Sequence, residues 1–143
     1  MRDRSQARLS DGWRRGALTA QQTAERIGGC LIEADEVTAW RWLIELVDDF
    51  RGSAPSSREA LVSETPSPIG DSRYDAAMAA LVEYLCAEAG LAVPPWTSEP
   101  FRFVEPWWFP AGLPGLYASM LRDSPISFKR HGVFVSARAF ARA

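Results

Sequence analysis

His131, Cys30 and Cys86 are the side chains of this 143-residue sequence best suited to chemistry, and there are few of them. His131 is the single histidine. Nucleophilic catalysis of the Ser-His-Asp or Cys-His kind needs a base beside a nucleophile and a third group to orient it. Here one imidazole would have to serve, from a basic stretch beside Lys129 and Arg130. We read it as a surface or C-terminal helix residue and assign no catalytic residue. Cys30 and Cys86 are far apart, each in a helical pattern, and read as buried free thiols of a reducing compartment. Zinc takes clustered Cys and His ligands, so this set suggests no metal site.

The carboxylates give a similar answer. Asp48-Asp49 and Asp35-Glu36 are adjacent pairs, and helix neighbours point about 100° apart, so neither pair converges on a substrate. They read as solvated faces; a glycosidase-like use of distant carboxylates stays open. The chain contains neither GxxxxGK[ST] nor GxGxxG, so no nucleotide cradle is indicated. The sequence predicts no enzyme, no cofactor and no metal.

The most concentrated feature is aromatic. In VEPWWFPAGLPGLY, residues 104–117, Trp107, Trp108 and Phe109 lie between Pro106 and Pro110, with Pro114 behind. The prolines forbid a continuous helix. One reading is a lock that pins a non-helical connector across helices. The other is a partner-binding patch, since Trp, Tyr and Arg dominate binding hot spots. In an extended segment adjacent side chains point to opposite sides. One tryptophan can then be buried while the other faces a partner. Trp107, Trp108 and Phe109 are therefore candidate partner-binding residues. Trp42 joins them, because it lies about 200° around its helix from Trp40 and suits a second surface such as a homodimer contact.

The elements that position these residues are helical. Thr19 and Gln22 fit a capping box, followed by Ala20, Ala24, Ile27 and Leu31 at helical spacing. Gly28-Gly29 should end or bend that helix. Val37, Trp40, Leu43, Ile44, Val47 and Phe50 form the strongest apolar stripe, and Gly52 is a plausible stop. Residues 53–70, rich in Pro, Ser and Thr, read as a flexible loop. Asp71 caps a helix to Ala89, with Ala77, Leu81, Tyr84 and Leu85 as its buried face and Gly90 behind it. Thr97 caps one turn through Phe103. Leu113–Arg122 is helical, Ser124-Pro125 starts a helix ending at Gly132, Val133–Val135 is extended, and Ser136 caps a final helix carrying Arg138 and Arg142. Residues 1–17 read as a partly ordered tail. The predicted fold is all-α: one compact multi-helix domain over 18–143, with an aromatic and proline-rich connector and at most one short strand.

Composition bounds the partners. The net charge is −2, but residues 101–143 carry six basic residues against two acids. That third could meet phosphate through Lys129, Arg130, Arg138 and Arg142, which are the nucleic-acid candidates; the bland reading is a solvated helix face. No apolar run approaches the ~18 residues of a membrane span, and the polar start lacks a signal core, which predicts a cytosolic chain without a membrane partner.

The stretches WRWLIELVDDFRG, GDSRYDAAMAALVEYLCAEAGLAVPPWT, PWWFP and SPISFKRHGVFVSARAF, across residues 40–143, resemble a region of small actinobacterial regulators. Some of these carry an Xre-like helix-turn-helix ahead of it and are similar to antitoxin or regulator components of toxin–antitoxin pairs. The resemblance implies an interaction protein, antitoxin-like or accessory to a transcriptional regulator, whose protein partner would be a toxin encoded by a neighbouring gene. At the N-terminus only LTAQQTAERIGG resembles the start of a helix-turn-helix, and no basic recognition helix follows. A DNA-binding regulator acting through the basic C-terminal third is the alternative.

Overall fold

Thr19 starts the first helix by reciprocal hydrogen bonding. Its hydroxyl accepts from the Gln22 N–H, and the Gln22 side chain accepts from the Thr19 N–H. The computed structural model describes residues 16–136 and 138–140; residues 1–15 of the expected tail, and Arg142, lie outside them. Helix α1, Ala20–Ile32, continues through Gly28-Gly29, so these glycines do not end it. Two glycines cost an isolated helix about 2 kcal/mol. Burial of Ala20, Ala24 and Ile27 offsets that cost.

Helix α2, Glu36–Gly52, is capped by Asp35, which accepts from the Thr38 N–H. Its buried side is Ala39, Leu43, Leu46, Val47 and Phe50. The expected stripe is rotated: Trp40 and Ile44 are half-buried, and Val37 is 67% exposed. Helix α4, Ser72–Ala89, is capped by Asp71 and ended by Gly90 in the left-handed region. A single buried face was expected, but residues 74–83 are buried all round. Small side chains such as Ala76, Ala77, Ala79 and Ala80 let other elements approach from every direction. This is the central helix, against which α1, α2, the turns that follow it and the helix Ile126–His131 pack.

Between α2 and α4, the expected flexible loop is pinned. It holds a 3-10 turn and the short helix α3, Arg58–Val62. The Val62 carbonyl accepts from the Trp96 indole, the Pro66 carbonyl accepts from Arg102, and the Ile69 N–H donates to Asp75. After α4 come the 3-10 turns Pro95–Ser98 and Pro100–Arg102, the aromatic connector with a cis Glu105–Pro106 bond, α5 (Tyr117–Asp123) and α6 (Ile126–His131). Ser124 does not cap α6. Its hydroxyl donates within the Met120 and Val135 carbonyls' reach and accepts from the Val135 N–H. The helix expected from Ser136 is a turn over Arg138–Phe140. The fold is all-α; its β-structure among the described residues is one parallel bridge, Trp108 to Val133. None of the described helices is long and apolar enough to cross a membrane.

Burial holds the Asp75 carboxyl above its ordinary range, outweighing the Ile69 N–H and the Arg102 charge. The native state therefore keeps this proton to a higher pH than the unfolded chain. The associated stability is complete below about pH 4, the unfolded value, and is lost as pH rises through the native one. Asp71 runs the opposite way, since Arg73 holds its carboxyl low. Asp75→Asn should therefore gain stability relative to wild type as pH rises from about 3 to 7. Paired thermal melts across that range check the sign; a gap that moves the other way would mean that attraction to Arg102 outweighs burial.

Candidate functional site

The connector owes its shape to backbone pairing on both sides of Trp108. The Trp108 N–H donates to the Gly132 carbonyl at 2.9 Å, and the Trp108 carbonyl accepts from the Phe134 N–H at 2.9 Å. The Val104 N–H adds a bond to the His131 carbonyl. Gly132 closes α6 at φ 82°, with its Cα against the Val104 carbonyl, so only glycine fits. This short extended pairing sends Trp107 and Trp108 to opposite sides.

Trp108 faces inward. Its ring meets Trp40 edge-on at 6.0 Å and Tyr74 at 5.1 Å, with the Arg73 guanidinium 5.1 Å from its centre. Trp107 faces out: it touches Phe134 at 4.9 Å and remains 60% exposed. Phe109 stacks on Tyr117 at 3.9 Å and on Phe134 at 5.2 Å. Leu113 and Leu116, on either side of Pro114, are also exposed. Trp42 is not part of this group. It packs half-buried beneath the Arg26 guanidinium of α1, at 4.8 Å, and serves the α1–α2 contact.

Behind Trp108 lies a cavity of about 650 Å³. One wall is the side of α2 that bears Glu36, Val37, Trp40 and Arg41. Arg73 and Tyr74 of α4, Phe109 to Gly112, Met120 and Ala139 also line it. Val37 and Trp40, expected in the core, are apolar because they line this space. Burial pushes the Tyr74 phenol up to about 12, and its hydroxyl stays protonated near Glu36.

His131 ends α6, as one of its two readings had it, but it is not at the surface. It is fully buried, stacked on Phe103 at 4.3 Å. Its Nδ1 faces the Arg102 carbonyl, and its Nε2 lies 2.8 Å from the Glu83 carboxylate. Both nitrogens are thus engaged in structural contacts. The signal missed was Glu83, forty-eight positions away on α4. Arg130 pairs with the same carboxylate and donates to Ser98, and Lys129 donates to the Arg122 carbonyl. Of the nucleic-acid candidates, Arg138 is exposed and Arg142 lies outside the described residues. Cys86 is buried, its thiol pushed up to about 11; Cys30 is half-buried rather than enclosed, and both are free. Among the described residues no cluster of His, Cys, Asp and Glu could hold a metal ion.

The chain matches no protein-family model, no curated protein and no solved structure.

Two predictions follow from this geometry. His131→Ala should cost about 3 kcal/mol, because it empties a packed site and strips a partner from both Glu83 and the Arg102 carbonyl. An unchanged urea midpoint would contradict the buried placement. Trp108→Ala should cost about 2–3 kcal/mol and Trp107→Ala less than about 1, by the difference in burial. Parallel denaturation curves of the two variants measure the split, and equal losses would refute it.

Proposed function

We propose that this chain is a non-enzymatic interaction protein that binds an apolar segment of a protein partner through the outer face of its aromatic connector. The observation that carries this reading is Trp107, held on a fixed backbone yet 60% exposed. A large aromatic costs little entropy to dock when its backbone is already held, and such residues act as binding anchors. Leu113 and Leu116 supply further exposed apolar surface on the same connector. The antitoxin-like or regulator-accessory role, with a toxin as partner, is supported by the resemblance of residues 40–143. Direct DNA binding is the weaker reading, because Lys129 and Arg130 are engaged within the chain.

The test is co-expression with the neighbouring gene product, followed by affinity measurement on the complex. Trp107→Ala should weaken binding by about 2 kcal/mol, roughly thirtyfold, in a protein whose melt is close to wild type. Binding that is indifferent to Trp107, Leu113 and Leu116 would remove this face from consideration.

A further inference from the structure

The geometry points to a second binding site: the cavity behind Trp108 takes a small aromatic carboxylate. This is independent of partner binding, which uses the opposite face of the connector. Its volume, about 650 Å³, lies within the ordinary range for small organic ligands. The interior is ring-lined, with Trp40 and Trp108 nearly perpendicular at 83° and Tyr74 and Phe109 adjoining them. Val37 stands 67% exposed at the mouth, an apolar side chain that an occupant would cover.

The charges choose the ligand's polar group. Three charged residues line the cavity: Glu36, Arg73 and Arg41. Arg73 is already committed. It pairs with Glu36 at 3.1 Å and Asp71 at 2.9 Å, and its guanidinium lies over both Trp108 and Tyr74. A cationic ligand would find Glu36 and the faces of Trp108 and Tyr74 already engaged by the chain's own arginine. Arg41 is different. It is exposed and makes no hydrogen bond or ion pair among the described residues, although its charge acts on Asp35 at the start of α2. It sits one turn beyond Val37 on the cavity side of α2. Its planar fork suits a carboxylate, which it can engage with two parallel N–H donors. A flat apolar body would enter between the rings, and its acid would remain at the mouth on Arg41.

Three probes of one shape separate the contributions: naphthylacetate, the neutral naphthylacetamide and the cationic naphthylethylamine, each titrated calorimetrically into the full chain. The acid should bind at least about tenfold tighter than the amide, a difference of about 1.4 kcal/mol, and the amine weakest. Arg41→Ala should reduce the acid to the affinity of the amide and leave the amide unchanged. Ala111→Trp, at an exposed position on the cavity wall, should weaken acid and amide together by obstructing the space. Both sites are exposed, so both variants should melt as wild type does. The proposal is overturned if the acid does not bind at millimolar concentration, if the amine binds as tightly as the acid, or if acid binding survives both substitutions.

Discussion

Two carboxylates of α4, Asp75 and Glu83, hold the C-terminal half of the chain onto its central helix. Eight positions apart, they are separated by about 12 Å along the helix axis. Asp75 receives the Ile69 N–H and lies 4.0 Å from the Arg102 guanidinium. Glu83 receives His131 and Arg130. Arg102 joins the two ends. Its side chain reaches toward Asp75 and donates to Glu99 and the Pro66 carbonyl, while its own carbonyl faces His131 Nδ1. Trp96 and Phe101 cover the guanidinium at 4.7 and 4.4 Å. Removing charges from water costs several kcal/mol each, so the seam depends on its partners; one nitrogen of Arg102, Nη1, makes no hydrogen bond and has only the 4.0 Å approach to Asp75. The seam ties the loop before α4, the 3-10 turns after it and α6 into one arrangement.

That arrangement decides where the connector lies. With His131 fixed, its carbonyl and that of Gly132 accept from Val104 and Trp108, and the chain between them is drawn against the end of α6. The pairing is short, a single bridge, yet it suffices to set the side on which each tryptophan falls. The cavity and the outer aromatic surface are consequences of this placement. Phe109 serves both, lining the cavity while stacking on Tyr117 and Phe134.

Local chemistry made much of the fold legible in the sequence. Thr19 with Gln22, Asp71 and Gly90 mark helix ends by interactions within a few residues, and each does so in the structure. The failures share a different cause. His131 reads as polar and accessible, and its burial depends on Glu83, which no local pattern connects to it. Arg102, which no sequence pattern singles out, is likewise buried through contacts distant in sequence, with Asp75 and the Pro66 carbonyl. The loop over 53–70 has turn-forming composition, but its order comes from Trp96, Arg102 and Asp75. Ser136 bonds the Arg138 N–H as a cap would, but a turn follows where a helix was expected. On α2, periodicity identified apolar side chains correctly at Val37 and Trp40. It does not distinguish a face pressed on the core from one that lines a cavity, because apolar side chains stand on both.

The same distinction explains why the connector is proline-rich rather than helical. On a helix, Trp107 and Trp108 would diverge by about 100°, and both could lean on one surface. In an extended segment they diverge by about 180°, which forces one inward and the other out. Pro106 and Pro110 deny the helix, and the bonds at Trp108 hold the extended form. The inward ring can then close a cavity with Trp40 and Tyr74 while the outward ring stays open to solvent, one residue away. A lock and a binding surface were the competing readings of these adjacent aromatics. In this geometry Trp108 packs against Trp40 and Tyr74, while Trp107 rests one side on Phe134 and stays 60% exposed, because its neighbour already anchors the backbone on which it stands.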